Sequence, residues 1–189
     1  MLIRFLAALL VIALLVAVVL LLFFISLYNR LVRSRNGVEN AFASVDVQLK
    51  QRCDLIPKLV DSMRAYMTHE RGTLDELTAL REKASASGAS AAERVALDQQ
   101  MSGLMRGLMV RAEAYPDLKA SETVTLLQRS LNEVEAQIAA ARRTYNAAVT
   151  GFNTAIEVFP ANLLAGVLGF SRRPLFEASA DDRVVPGIR

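Results

Sequence analysis

Few side chains in this sequence combine types and spacings that would support catalysis. His69 and Glu70 match the first half of the zinc-binding motif HExxH, but Thr73 stands where the second histidine is needed. The chain has a single histidine, so a His-pair metal site cannot form within one protomer. Glu133 and Glu135 lie on polar helix faces, where we expect them to be solvated rather than paired for acid–base catalysis. We therefore predict no metal, no cofactor and no enzymatic activity.

The segment KQRCDLIPKLVD at residues 50–61 places a cysteine and a proline inside an amphipathic helical pattern. Pro57 has no N–H to bond the carbonyl of Cys53, and its ring crowds the same turn. Asp54 can cap a helix that restarts at Leu55, so the pattern predicts a kink or a short break. No histidine lies near Cys53 to activate its thiol, and we expect a partly buried structural residue.

An uninterrupted apolar run from Phe5 to Ile25 precedes this segment. No charged residue lies between Arg4 and Arg30, and about 20 apolar residues suffice to cross the hydrocarbon core of a bilayer. A cleaved signal peptide usually has an apolar region of roughly 7–15 residues and a small-x-small cleavage site, and this run fits neither feature. The sequence therefore predicts a single-pass transmembrane anchor.

Beyond the anchor, apolar residues recur at the three- and four-residue spacing of packed helices. One stripe runs from Leu31 to Tyr66, interrupted by Arg52, and another from Val124 to Phe159, as in coiled-coil packing. We predict an all-α protein in which an N-terminal transmembrane helix continues into a long antiparallel bundle of three or four helices. The predicted divisions are the anchor at 1–28, the elongated bundle at 29–159, and a C-terminal tail with a short apolar helix at 160–189.

The number of helical passes predicts where this tail lies. A helix of about 40 residues is roughly 60 Å long. If the pieces between Thr73 and Tyr115 together form one returning stretch, the last helix leaves the membrane again, and Phe159 lies near Gly72. The apolar tail residues would then cover the far end of the bundle, with a partner-binding patch as the alternative. These residues are Leu163, Leu164, Val167, Leu168 and Phe170. Their composition also fits an interfacial membrane helix, but a distance of roughly 60 Å from the bilayer argues against that interpretation.

Charge limits the partners and the orientation. The net charge of +3 is mild and both signs are interspersed, so we expect no nucleic-acid partner. Arg30, Arg33 and Arg35 follow the predicted span, whereas only Arg4 and the terminal amine precede it. The positive-inside rule therefore favours a cytoplasmic bundle. A signal-anchor that sends the bundle outward is the alternative.

Five segments follow the anchor in a characteristic order. They are YNRLV at 28–32, RNGVENAFASVDVQLKQRCDLIPKLVDSMRAYMTHE at 35–70, AYPDLKA at 114–120, FPANLLAGVLGF at 159–170 and FEA at 176–178. This set resembles the LemA family. Phe42, Cys53 and Lys58 depart from it, standing where tryptophan, an aromatic residue and asparagine are common. The resemblance implies a single-span protein of the bacterial inner membrane with a long helical bundle.

The resemblance implies no reaction, catalytic residue or cofactor. It associates the protein with envelope functions or membrane-protein homeostasis, including a link to a membrane zinc metalloprotease. We therefore expect a membrane-anchored scaffold or adaptor that contacts the lipid bilayer and protein partners and can form a homo-oligomer. A transmembrane sensor that uses Pro57 as a hinge is the alternative. The candidate hinge and interaction residues are Asp46, Gln48, Lys50, Arg52, Asp54, Pro57, Arg172 and Arg173.

Overall fold

The computed structural model describes residues 1–86 and 91–176, without the side chains of residues 2, 3, 8, 91 and 92. Within these ranges the chain forms helices and no strand, which confirms the all-α prediction. The helices are α1 (Leu2–Arg64), α2 (Arg71–Ser85), α3 (Ala91–Ala112), α4 (Pro116–Ala120), α5 (Glu122–Glu157) and α6 (Ala161–Val167). Of the predicted tail at 160–189, residues 177–189 lie outside the described residues.

Helix α1 carries the apolar run and continues without interruption beyond it. By length and composition, it holds the one candidate membrane span among the described residues, although a signal sequence near the N-terminus would pass the same test. The apolar side chains of this run, such as Leu14 and Val19, are exposed. An exposed, continuous apolar surface of this length is suited to lipid rather than to water.

Pro57 lies inside α1 and does not end it. The helix continues to Arg64, so the predicted short break, with Asp54 capping a new helix, is wrong. The carbonyl oxygen of Cys53 accepts a hydrogen bond from Nε of Arg81 at 3.3 Å. Because a neighbouring helix supplies the donor that proline lacks, α1 does not have to be interrupted to satisfy this oxygen. The kink remains a prediction.

The chain divides into two compact units, and α1 and α5 contribute to both. Unit 1 combines Met1–Ala41 with the described residues from Thr144 onward, and unit 2 is Phe42–Arg143. The predicted anchor, bundle and tail follow one another along the sequence, whereas unit 1 combines residues from both ends of the chain. The division into anchor, bundle and tail stays a prediction.

Unit 2 contains four antiparallel helical segments, from α1, α2, α3 and α5. Their directions follow from paired contacts, which are Arg64–Asp75 and Cys53–Arg81 between α1 and α2, Asp46–Arg94 and Arg52–Asp98 between α1 and α3, and Met109–Gln128 and Asp98–Arg142 between α3 and α5. As residue numbers increase along α1, those of the partners decrease along α2 and increase along α3. As residue numbers decrease along α3, those of the partners increase along α5. Each segment is antiparallel to the one before it. The segments therefore run up, down, up and down.

Apolar side chains from these helices and the adjoining turns form one core in unit 2. Its buried members are Cys53, Ile56, Leu59, Val60, Met63, Met67, Leu74, Leu77, Leu80, Ala84, Met101, Met105, Leu108, Ala112, Leu118, Val124 and Leu131. Most of the α1 positions lie on the stripe that the sequence predicts. This burial, rather than helix propensity, is the main source of stability for helices of this kind.

In unit 1, the segment after α5 packs beside the part of α1 that follows the candidate span. The ring of Phe170 lies 6.4 Å from that of Tyr28 and 6.3 Å from that of Phe152, centroid to centroid. The guanidinium of Arg35 lies 5.8 Å from the centroid of the Phe170 ring. The predicted position of the tail, far from the span, is therefore wrong.

The error comes from the number of helical passes. The sequence prediction treated the stretch between Thr73 and Tyr115 as one return, but α2 and α3 are two separate passes of opposite direction. Four passes form an even number, so α5 runs antiparallel to α1 within unit 2.

The core stripe of α5 departs from the predicted heptads near its C-terminal end. Beyond Tyr145, Phe152 is buried as the heptad pattern predicts. The core positions beside it are Val149 and Ile156 instead of the predicted Ala148 and Ala155, which are only partly buried, and the predicted Phe159 is exposed. A straight helix drifts relative to a strict seven-residue repeat, so the heptad pattern identified Phe152 correctly but missed its neighbours in the core.

Candidate functional site

A buried network of charged side chains joins α1, α3 and α5 in unit 2. Nη1 of Arg52 lies 2.9 Å from Oδ1 of Asp98, and Nη2 of Arg142 lies 3.0 Å from Oδ2 of the same carboxylate. Nη2 of Arg52 also lies 2.5 Å from Oε2 of Glu135. The side chains of Arg52 and Asp98 are only 4% and 3% exposed, so this pair lies away from water.

The sequence shows half of this network. Arg52 interrupts the apolar stripe of α1 and is among the predicted residues, but Asp98 and Arg142 are not. Asp98 interrupts the apolar stripe of α3 in the same way, between Val95 and Met101, which are both buried. Two opposite charges, each alone in an apolar stripe, are the signal that would have paired them. The Glu135 side chain is half exposed, and its partner is Arg52 rather than a second carboxylate, so the ion pair does not contradict the expectation that Glu135 takes no part in acid–base catalysis.

The network holds helices together and offers no free acid or base. Both oxygens of Asp98 accept hydrogen bonds from guanidinium groups. Burying these charges is costly, and it is tolerated where each charge faces an opposite one with good geometry. Nε of Arg52 and Oε1 of Gln48 are buried, and the described residues provide neither with a hydrogen-bond partner. Within unit 2, the arrangement fixes the register of three helices.

A cavity of about 830 Å³ adjoins this network in unit 2. Arg52 and Glu135 line one part of it, and the rest of the wall is divided between apolar and polar residues. The apolar lining consists of Met105, Met109, Val110, Ala112, Leu118, Val124 and Leu131. The polar lining consists of Ser102, Arg106, Glu113, Lys119, Thr125, Gln128 and Asn132. The volume of the cavity falls within the range of small-molecule sites. A lining of this mixed character suits an amphipathic side chain or ligand.

A second cavity of about 420 Å³ lies among α1, α2 and α3. Three of the predicted surface residues, Asp46, Lys50 and Asp54, line it together with Cys53. Burial raises the pKa of the Cys53 thiol, and the charge of Asp98 raises this pKa further. The thiol therefore stays protonated at neutral pH, which agrees with a structural rather than a nucleophilic cysteine.

The other predicted residues of α1 differ in their surroundings. Asp46 pairs with Arg94 at 2.6 Å, and both side chains are partly exposed. Lys50 and Asp54 are exposed, Gln48 and Pro57 are partly buried, and Arg52 is buried. The predicted surface is thus an exposed strip beside a buried ion pair.

Arg172 and Arg173 belong to unit 1, so the structure does not join them to the α1 residues in one compact unit. Arg172 pairs with Glu157 at 2.6 Å, and both side chains are exposed. The backbone of Arg173 makes two hydrogen bonds to the side chain of Asn153, donating to Oδ1 and accepting from Nδ2, both at 2.9 Å.

Asn146 binds the tail in the same manner, two helical turns earlier on α5. Its Oδ1 accepts from the backbone N–H of Phe176 at 2.8 Å, and its Nδ2 donates to the Phe176 carbonyl at 3.0 Å. The hydroxyl of Tyr145 donates to the carbonyl of Pro174 at 3.2 Å, and burial raises the pKa of Tyr145. Two asparagine amides thus hold an extended segment against α5, a contact that sequence periodicity does not reveal.

The histidine and glutamate that begin the incomplete zinc motif serve no joint site. His69 is exposed, and the carboxylate of Glu70 accepts a hydrogen bond from the hydroxyl of Tyr115 at 2.7 Å. This hydrogen bond raises the pKa of Tyr115. Across residues 1–86 and 91–176, no group of three or more His, Cys, Asp or Glu side chains is arranged to hold a metal ion.

Comparison with known proteins points to one family. The sequence model of the LemA family matches residues 41–189. The chain is also similar to Protein LemA of Metamycoplasma hominis, with 32% identity over 156 residues, which cover 82% of this chain and 71% of that protein. The family model covers α1 from residue 41 to its end and the whole of α5, so the similarity extends across unit 2.

A shorter similarity links the chain to magnetosome proteins. Magnetosome protein MamQ 2 of Paramagnetospirillum magneticum is 39% identical over 70 residues, which are 37% of this chain and 26% of that protein. Magnetosome protein MamQ of Magnetospirillum gryphiswaldense is 35% identical over 69 residues, or 36% of this chain and 25% of that protein. The chain thus matches about a quarter of each magnetosome protein.

Proposed function

This chain belongs to the LemA family, and from that premise we propose that it is a non-enzymatic, membrane-anchored scaffold or adaptor. One observation carries the proposal: a single helix, α1, contains the candidate membrane span and also supplies one segment of the bundle in unit 2. No loop separates anchor from bundle. Such a helix links a protein-binding surface directly to a segment that enters lipid.

The chemistry of unit 2 supports a role in binding. Its most buried charged group, Asp98, is held by two arginines, and the Cys53 thiol has a raised pKa. A nucleophile or general base needs the opposite conditions, which are an accessible carboxylate or a thiol with a lowered pKa. The exposed positions on the bundle, including Lys50 and Asp54, remain our candidates for contact with a partner.

We propose, from the family resemblance, that this role belongs to the bacterial inner membrane and to envelope function or membrane-protein homeostasis, with a membrane protease as one candidate partner. The positive-inside rule, applied to Arg30, Arg33 and Arg35, favours a cytoplasmic bundle. The similarity to magnetosome proteins covers too little of either chain to carry a magnetosome role here. A homo-oligomer is a further candidate state.

Site-specific photo-cross-linking of the full-length protein in membranes tests the proposal. A photoreactive residue replaces Lys50 or the exposed Val110 on the bundle, and Leu14 in the span serves as the lipid-facing control. We expect reproducible adducts of defined mass from the bundle positions, to a second copy or to another protein. Only monomer at both bundle positions, with lipid adducts at position 14, would contradict a scaffold while leaving the anchor intact.

A pair of reporter fusions at the C-terminus tests the orientation. One reporter is active only inside the cytoplasm and the other only outside it. We expect activity from the first alone. Activity from the second alone would place the bundle outside and would restrict the partners to envelope proteins.

The sensor alternative depends on Pro57 acting as a hinge. It receives little support, because α1 continues through Pro57 and Arg81 braces that turn from α2. Pro57→Ala separates the two functions. A scaffold keeps its adducts and its abundance, whereas a hinge loses its response in a phenotype assay at unchanged abundance.

A further inference from the structure

The helix α6 and the residues around it expose large apolar side chains in unit 1. Phe159, Leu163 and Val167 recur at four-residue intervals, and each is more than half exposed. Leu168 and Leu175 are also exposed nearby. A patch of this kind on a folded surface indicates a contact with another apolar phase.

The helix itself is arranged contrary to what water favours. Its two alanines, Ala161 and Ala165, are buried and Leu164 is partly buried, whereas the larger Leu163 and Val167 are exposed. A helix on a water-facing surface normally turns its larger apolar side chains inward. The outer face of α6 is therefore an apolar surface that favours contact with another apolar phase over contact with water.

The position of α6 next to α1 identifies what covers it. The backbone N–H of Phe170 bonds the carbonyl of Ala165 at 3.0 Å, through Gly169 at φ 72°, so the end of α6 is fixed to Phe170. This is a glycine C-cap, in which the positive φ costs least at glycine. The Phe170 ring in turn contacts the ring of Tyr28.

Tyr28 lies close to the expected membrane surface. It follows Ile25, the last residue of the apolar run, by three residues, or about 4.5 Å along the helix axis. The polar layer on each side of the hydrocarbon core is roughly 5–8 Å thick. Tyrosine at this depth is typical of the aromatic belt, with its ring among the headgroups. Phe170 and the end of α6 share that layer.

The charges around the patch fit an anionic lipid surface. Arg30 and Arg33 are exposed on α1 just beyond the span, and Arg172 is exposed just beyond Phe170. Basic residues that flank an apolar face are the usual composition of interfacial helices.

We propose that the outer face of α6, with Phe159, Leu163 and Val167, is a second membrane contact that inserts into the interface of the bilayer crossed by α1. This inference rests on the proposed membrane anchor. It differs from the anchor because it binds the C-terminal segment to the same lipid leaflet from which the bundle emerges. α5 and α1 are then both held at the membrane surface.

Tryptophan fluorescence provides the test, because the chain contains no tryptophan. Val167→Trp places one reporter on α6, and Val110→Trp places one on α3 of unit 2 as a matched control. Both valines are highly exposed, at 85% and 73%. Leu14→Trp reports on the span, and Leu163→Trp is a second reporter on the α6 face. Each full-length variant is reconstituted into vesicles of phosphatidylcholine and phosphatidylglycerol with brominated acyl chains.

We expect bromine near the headgroup end of the chains to quench the reporters at positions 167 and 163 strongly, and deep bromine to quench them less. The reporter at position 14 should show the reverse depth preference, and the reporter at position 110 should keep its fluorescence. The emission at positions 167 and 163 should shift to shorter wavelength relative to that at position 110.

The contrary outcomes separate the two proposals. Quenching at position 14 without quenching at positions 167 and 163 would overturn the α6 contact while the anchor stands. A blue-shifted emission at these α6 positions that bromine does not quench would show that protein, such as a second copy, covers the face, and would also overturn it. Absence of quenching at position 14 would overturn the anchor and this inference together.

Discussion

The side chain of Arg81 on α2 donates a hydrogen bond from Nε to the carbonyl oxygen of Cys53 on α1, at 3.3 Å. In an ordinary helix this oxygen would accept from the N–H at position 57, and Pro57 has none. One side chain therefore replaces one backbone donor. The replacement lets α1 remain a single helix and fixes α2 against it at this turn.

We predict that Arg81→Met lowers the free energy of unfolding by about 0.5–1.5 kcal/mol, because a part-buried carbonyl oxygen loses its partner. The same substitution should cost less in a Pro57→Ala background, where the alanine N–H serves the Cys53 oxygen. Urea unfolding followed by circular dichroism, on both single variants and the double variant, measures this coupling. Arg129→Met, at an exposed arginine of α5, is the control and should change the stability by less than about 0.5 kcal/mol. Equal costs of Arg81→Met in the two backgrounds would show that the bond does not compensate for the proline.

A second prediction concerns the buried carboxylate. Asp98→Ala should destabilise unit 2 by about 3 kcal/mol, because the buried Arg52 loses one of its two carboxylate partners and keeps only the half-exposed Glu135. Arg142 is less affected, since its side chain is 24% exposed and can reach water. Chemical unfolding of the full-length protein in detergent measures the loss.

Asp75→Ala is the matched control, because Asp75 also pairs with an arginine, Arg64, at 2.8 Å but with both side chains exposed. Asp75→Ala should lower the free energy of unfolding by only about 0–1 kcal/mol. The double variant Arg52→Met with Asp98→Leu should recover most of the stability, since it removes both buried charges. Similar losses from Asp98→Ala and Asp75→Ala would argue against a buried network.

The asparagine contacts in unit 1 lead to a third prediction. Asn153→Asp keeps an acceptor for the N–H of Arg173 but replaces the donor to its carbonyl oxygen by a second acceptor. The tail segment should open more often, and the exchange of the Arg173 amide hydrogen should accelerate by roughly tenfold, the equivalent of losing about 1.4 kcal/mol of local stability. Hydrogen–deuterium exchange measures the rate. Asn132→Asp, at an exposed asparagine on the same helix, is the control and should leave the exchange rate of the Arg173 amide unchanged. An unchanged exchange rate in Asn153→Asp would refute the role of the Asn153 amide.

The Cys53 thiol provides a prediction about pH. Burial, with a further contribution from Asp98, raises its pKa above the ordinary value of 9.0. As pH rises past 9.0, the thiol of the unfolded chain ionises first and thereby favours unfolding. The contribution of this thiol is therefore fully present below that pH and is lost as pH rises through the folded-state pKa. Stability should fall more steeply above pH 9.0 in the native chain than in Cys53→Ala, and unfolding curves across this range measure the difference.

Reaction with a thiol reagent checks the same group at constant pH. The folded protein should react at least about tenfold more slowly than the urea-unfolded chain, because the thiolate is scarce and the site is covered. Equal reaction rates in the folded and unfolded states would mean that Cys53 is accessible. If the native chain and Cys53→Ala showed the same pH dependence of stability, the thiol would have no link to stability.

The sequence by itself determined the helical character of the chain, its candidate span and most core residues of α1. These features are local, because an apolar run or a three-to-four spacing is visible within one segment. It also showed that Arg52 is unusual, since a charge interrupts an otherwise apolar stripe. The prediction of core residues was less accurate near the end of α5, where a strict heptad pattern placed two core positions one residue too early.

Only the tertiary structure decided which residues meet. The partner of Arg52 lies 46 residues away, and the donor for the Cys53 carbonyl lies 28 residues away. The number of passes made α5 antiparallel to α1 in unit 2. In unit 1, the structure placed Phe170 beside Tyr28 rather than far from the span. Such pairings depend on which way each turn sends the next helix, and the period of one helix carries no information about that direction.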